Sequence, residues 1–158
     1  MGLGSLTRPD LIFTEIAAAD RSQILRTFAE KIGQSGCLSR ALCDPDTLFQ
    51  CFWEREQLGS TGIGGGIALP HCKIGGLAKA LLALGVVPEG VDFEAVDGLP
   101  VRLFFLVLSP SEAPAEHLQV LSAISRWIKG AEKTGTIETI LALPDARAIH
   151  DFLQREGG

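Results

Sequence analysis

Apolar residues recur at helical spacing in four stretches of this chain and run unbroken at strand length in two others. The first helical stripe is Leu25, Phe28, Ala29 and Ile32, with the capping-box pair Asp20 and Gln23 ahead of it and Gly33 as its expected stop. A second helix is predicted to open at Asp44 as N-cap with Pro45 in the first helical position, carrying Leu48, Phe49 and Phe52 inward and Arg55 near its end. A third should cover residues 113–129, with Leu118, Leu121, Ile124 and Ile128 facing inward, Trp127 beside them, and Gly130 ending it. The last spans 145–154, with Ala148, Ile149 and Phe152 on its apolar side.

The strand-like runs are 80–87 and 101–108. The second is so continuously apolar that it reads as a central strand covered on both faces. Pro88–Gly90 and Asp97–Pro100 look like turns between them, and residues 67–69 make a short third strand ending near His71. Strands interleaved with helices predict a single α/β domain, a small mixed parallel and antiparallel sheet flanked by helices on both faces. Residues 1–9 read as an N-terminal extension, 10–154 as the domain and 155–158 as a frayed tail.

Charge and composition remove several classes of function. A net charge of −5 with no Lys/Arg block lacks the electrostatic footprint of a nucleic-acid binder. No apolar run is long enough to cross a bilayer, and the N-terminus has no basic segment leading into an apolar one, so the expected compartment is the cytoplasm. Gly2 is not followed by Ser or Thr at position 6, where Leu6 stands, which argues against myristoylation. Cys37, Cys43, Cys51 and Cys72 contain no C-x-x-C pair and no zinc-like spacing, and read as reduced thiols. No metal site and no cofactor are expected.

The chemistry concentrates between Arg55 and Lys73. Gly62, Gly64, Gly65 and Gly66 permit positive φ, so that successive N–H groups can converge on an anion, although the same residues could equally form a tight loop. Ser60 and Thr61 add hydroxyls, Arg55 a permanent cation, and His71, behind Pro70, a nucleophile that is neutral near pH 7. The stretch fits neither the Walker A pattern nor the dinucleotide fingerprint, and Ser60 does not sit in a nucleophile elbow. His117, at the start of the long helix, lies where N–H groups and the helix dipole favour an anion. His150 reads as a surface residue of the last helix.

The run Arg55-Glu-Gln-Leu-Gly-Ser-Thr-Gly-Ile-Gly-Gly-Gly-Ile-Ala-Leu-Pro-His71-Cys-Lys73 resembles the signature of type-2 enzyme IIA domains of the bacterial phosphoenolpyruvate phosphotransferase system. The likeness extends through Phe93–Asp97, Pro100-Val101, Pro110 and His117-Leu118. It implies that His71 is phosphorylated by a phosphohistidine carrier protein and that His117 assists by hydrogen bonding. Arg55, Ser60 and Thr61 match the phosphoryl-binding positions, to which the glycines at 62 and 64–66 would add backbone N–H groups. The phosphate would pass to an enzyme IIB in a sugar-transport member, or govern contacts with target proteins in a nitrogen-regulatory member, the reading favoured for a chain with no fused transport domain. Cys72 departs from the pattern, where relatives often carry a small residue.

Overall fold

The structure, a computed structural model, describes residues 2–156. Its centre is a six-stranded mixed sheet: β1 (Ile12–Phe13), β2 (Gly62–Gly64), β3 (Ile67–Ala68), β4 (His71–Ile74), β5 (Leu81–Val91) and β6 (Val101–Pro110). The strand order is β1-β5-β6-β3-β2, with β4 also paired to β6. β5 and β6 are antiparallel, whereas β1 runs parallel to β5 and both β3 and β4 run parallel to β6.

β6 is covered on both faces, as its composition predicts. Phe104, Leu106 and Leu108 enter a core with α2 (Arg21–Gln34) and α3 (Pro45–Gln57). Leu103, Phe105 and Val107 enter a second core with α4 (Pro114–Thr134), α5 (Thr136–Ala142) and α6 (Ala146–Glu156). Alternation of side chains along the strand sends consecutive apolar residues to opposite layers, so an unbroken run serves both.

The helix starts follow the sequence closely. Asp20 accepts from the Gln23 N–H at 2.8 Å while the Gln23 side chain accepts from the Ala19 N–H. Asp44 accepts from the Thr47 N–H at 2.8 Å with Pro45 next to it, and Asp145 accepts from Ala148 N–H at 2.8 Å to open α6.

Helix stops are less legible. α2 passes through Gly33, whose missing Cβ leaves room for Pro45, and turns at Gly36 with φ 79°. α4 passes through Gly130, where a side chain would meet open space, and ends at Gly135 in the left-handed conformation. A glycine stops a helix where positive φ is required, and neither Gly33 nor Gly130 adopts it.

Other elements correct the sequence reading. Leu118 does not face inward but is 67% exposed; the buried side of α4 is His117, Val120, Ile124, Ile128 and Ala131. On α6 the buried pair is Ile149 and Leu153, with Phe152 only partly covered. Pro88–Gly90 is not a turn between strands: β5 continues through it to Val91, with a register shift against β6. The N-terminal residues pack on the domain. Leu3–Leu6 form the short helix α1, with Leu3 buried and Gly4 against Gln154 of α6. Of the expected tail, Arg155 and Glu156 complete α6, and residues 157–158 lie outside the described residues. Among the described residues no helix is long and apolar enough to cross a membrane.

Two glycines have opposite surroundings and therefore opposite expected responses to alanine. A Cβ at Gly85 of β5 would fall 2.2 Å from the buried Phe28 ring, itself packed on Phe104 with ring centroids 5.1 Å apart. Gly85→Ala should destabilise the fold by about 1–3 kcal/mol, read as a lower urea midpoint at constant slope. Gly130→Ala, in an open helical position, should instead stabilise it by about 0.5–1 kcal/mol.

Candidate functional site

His71 stands where the free edge of β6 changes partners. β3 pairs with Leu103 and Phe104, β4 pairs with Val107 to Pro110, and Leu69-Pro70 joins them. Proline has no N–H for a ladder, so the pairing lapses at that position. The Pro70 carbonyl still accepts from the Val107 N–H at 2.9 Å, which carries the chain back onto β6 and sets His71 opposite Val107.

Three elements converge there around a pocket of about 610 Å³. α3 contributes Cys51 and Arg55, with Glu54 and Leu58 beside them; β4 contributes residues 71–73; α4 contributes His117. The His71 and His117 rings lie 5.5 Å apart between centroids, inclined at 49°. Arg55, in the last turn of α3, donates from Nη1 to the Gly59 carbonyl at 2.9 Å and from Nε to His71 Nε2 at 3.2 Å.

The hydrogen bonds determine the tautomer of the His71 imidazole. His71 Nδ1 lies 2.9 Å from the Leu69 carbonyl oxygen, which can only accept, so Nδ1 carries the proton. The lone pair is then on Nε2, which is where the Arg55 donor points. His117 Nδ1 is buried without a partner. A proton on Nε2 would leave a lone pair at Nδ1 rather than a rarer orphan N–H.

Both imidazoles are held neutral. Burial lowers the His71 pKa from its ordinary 6.5, and the charges of Arg55 and Lys73 lower it further against the opposing pull of the Leu69 carbonyl. Burial also lowers His117, with smaller contributions from His71 and Lys73. A neutral ring with an available lone pair, flanked by N–H donors, suits attack on an electrophile that carries anionic oxygens.

The remaining residues singled out in the sequence do not reach this pocket. Ser60 Oγ donates to the Phe93 carbonyl at 2.8 Å and accepts from the Gly62 N–H at 3.0 Å. The Thr61 N–H and hydroxyl both donate to the buried carboxylate of Glu56, which also faces Arg21 at 3.8 Å and whose pKa burial raises. Gly64, Gly65 and Gly66, with φ of 98°, 67° and 80°, turn the β2–β3 hairpin, and the Gly65 N–H donates to Asp97 at 2.9 Å. Gly62 is small because Ala95 packs against it. The glycine run is thus a hairpin in which the Gly62 and Gly65 N–H groups are bonded within the protein, and residues 60–66, expected to form an anion loop, do not line the His71 pocket. It serves His71 by delivering the chain to β6. His150 lies on α6, away from the pocket. Among the described residues no group of three or more His, Cys, Asp or Glu is placed to hold a metal ion.

Sequence reasoning missed Lys73 and Cys51. Lys73 lies two residues beyond His71 on a strand too short to be seen in the pattern. Cys51 is one helical turn before Arg55, so the i,i+4 relation could have placed it on the same side of α3.

The family described as "Phosphoenolpyruvate-dependent sugar phosphotransferase system, EIIA 2" matches residues 5–156. A nitrogen regulatory protein of Bradyrhizobium diazoefficiens is 32% identical over 154 residues, 97% of this chain and 95% of that protein. A PTS system fructose-specific EIIA component of Haloferax volcanii is 36% identical over 108 residues, 63% of this chain and 70% of that protein. Among solved structures, nitrogen regulatory protein IIA-Ntr of Neisseria meningitidis superposes with a TM-score of 0.80 at 27% identity, covering 95% of this chain and 97% of the other. With the family pattern spanning nearly every residue of the fold just described, this chain belongs to the EIIA 2 family of the phosphoenolpyruvate-dependent sugar phosphotransferase system.

Proposed function

We propose that this protein carries a phosphoryl group on His71 Nε2, received from a phosphohistidine of a donor carrier protein, and that it acts as a nitrogen-regulatory-type enzyme IIA whose phosphorylation state governs its protein contacts. The observation that carries the reading is the Nδ1–H bond to the Leu69 carbonyl, which leaves the Nε2 lone pair directed into the pocket. In the transfer, a bond forms from His71 Nε2 to phosphorus as the donor's N–P bond breaks, and the electron pair of that bond returns to the donor imidazole. No net proton transfer is required of His71. Arg55 leaves the lone pair and meets the phosphoryl oxygens, together with His117 Nε2–H and the Lys73 ammonium. The N–H groups of the first turn of α4, where Ala113 supplies no side-chain cap, favour the same charge.

The nearly full-length likeness to a nitrogen regulatory protein supports the regulatory reading. The likeness to a fructose-specific EIIA component supports a second one, in which the phosphate passes to a fructose- or mannitol-type enzyme IIB. Transfer from the phosphorylated protein to a purified enzyme IIB of that type decides between them: rapid transfer establishes the transport role, and none favours the regulatory one.

After incubation with phosphoenolpyruvate, enzyme I and a donor carrier, intact-mass spectrometry should find one acid-labile phosphoryl group on the wild type and none on His71→Ala. Acid-labile phosphate on another histidine of that variant would sink the assignment. His117→Ala should still be phosphorylated on His71, about 10²–10³-fold more slowly, as befits loss of one donor to the transferring group. NMR titration of the resting protein should show His71 protonating below pH 6.5, because the folded state disfavours the cation. In Arg55→Ala the midpoint should move upward, since a nearby positive charge and part of the burial are lost together.

A further inference from the structure

The four cysteines have no pairing pattern in the sequence, yet the fold brings two of them together beside His71. α3 packs on β4, and Cys51 of the helix and Cys72 of the strand line the same pocket as His71. Cys51 is half-buried and open to that pocket, with its Sγ 3.8 Å from the Lys73 carbonyl oxygen. Cys72 is 5% exposed and belongs to the core beneath. The neighbouring Cys72 thiol lowers the Cys51 pKa from its ordinary 9.0, while Cys51 and burial together push that of Cys72 well above it. An accessible thiol that ionises more readily, facing a buried one in the wall of the same pocket, is the asymmetry of an attacking and a resolving cysteine. Cys43 lies close enough to raise the Cys72 thiol further, but it is buried and its own pKa is raised by that burial.

We propose that Cys51 and Cys72 are an oxidation site, a dithiol–disulfide couple in the wall of the pocket that closes when a peroxide oxidises Cys51. The Cys51 thiolate sulfur attacks one peroxide oxygen, the O–O bond breaks, and hydroxide departs and is protonated to water, leaving a sulfenic acid. The Cys72 sulfur then attacks the Cys51 sulfur, the S–O bond breaks, and a second water leaves as the S–S bond forms. The two thiols lose two electrons and the peroxide gains them.

The bond would tie α3 to β4 one residue from His71 and one helical turn before Arg55. Arg55 Nε rests on the His71 lone pair and has to move aside before that nitrogen can accept a group. Oxidation therefore restrains the movement that phosphoryl acceptance needs. This consequence rests on the assignment of His71 as acceptor; the disulfide itself does not.

The full chain, reduced and then treated with stoichiometric hydrogen peroxide, is quenched with an alkylating agent and mapped by non-reducing peptide mass spectrometry. The expected product is one Cys51–Cys72 cross-link, with Cys37 alkylated, reversed by dithiothreitol and absent from both Cys51→Ser and Cys72→Ala. A bond to Cys43, over-oxidation without any bond, or no oxidation would each overturn the couple, and the wild-type map stands whether or not a variant folds. Phosphorylation of oxidised wild type should be about tenfold or more slower than that of the reduced protein and recover with dithiothreitol, since small displacements at a transfer site are costly. A mapped bond that leaves the rate unchanged would overturn the restraint. Reduced protein that accepts no phosphate would refute the His71 assignment while leaving the mapped disulfide in place.

Discussion

The pairing of residues 67–74 with the free edge of β6 is the constraint on which the site depends. β6 is buried on both faces, so its position is held by two helical layers at once. Pro70 interrupts the ladder without detaching the chain, because its carbonyl still takes the Val107 N–H. His71 is thereby fixed at a break in an edge strand, with its Nδ1 tied back to Leu69 across that break. The edge admits groups from both layers: Arg55 comes from the α2–α3 side and His117 from the α4 side.

That placement also decides the electrostatics. Desolvation and two nearby cations keep His71 neutral, while a single carbonyl contact selects which nitrogen stays free. Arg55 covers the lone pair in the resting state and is anchored through Gly59 at the end of its own helix. The same side chain is thus a cation held directly against the unprotonated nitrogen of His71. Glu56, its neighbour in sequence, turns the other way: its buried carboxylate collects both donors of Thr61 and ties the end of α3 to the loop that leads into β2.

The glycines carry a different lesson. Their density invites an anion loop, but an N–H group can bind a ligand only if the protein has not already used it. At Gly62 and Gly65 the protein has used it, through Ser60 and Asp97. Positive φ at 64–66 is needed to reverse the chain between β2 and β3. The glycines thus serve His71 through geometry, by returning the chain to the edge of β6.

The sequence by itself determined the elements whose signals are local and strong. Caps at Asp20 and Asp44, the doubly buried strand at 101–108 and the α/β class all follow from interactions a few residues apart or from the composition of one run. The long motif ending in Pro70-His71, with His117 beyond it, marked the family and the two imidazoles. Only the tertiary structure decided the rest. Strands of two to four residues such as β1 and β4 have no periodicity of their own and exist because β5 and β6 offer them partners. That Arg55 and His117 meet His71, that the Gly65 N–H is spent on Asp97, and that Cys51 and Cys72 share the pocket depend on atoms brought together from separate elements. Those contacts come from packing against a shared sheet, and packing partners distant in sequence leave no periodic mark along the chain.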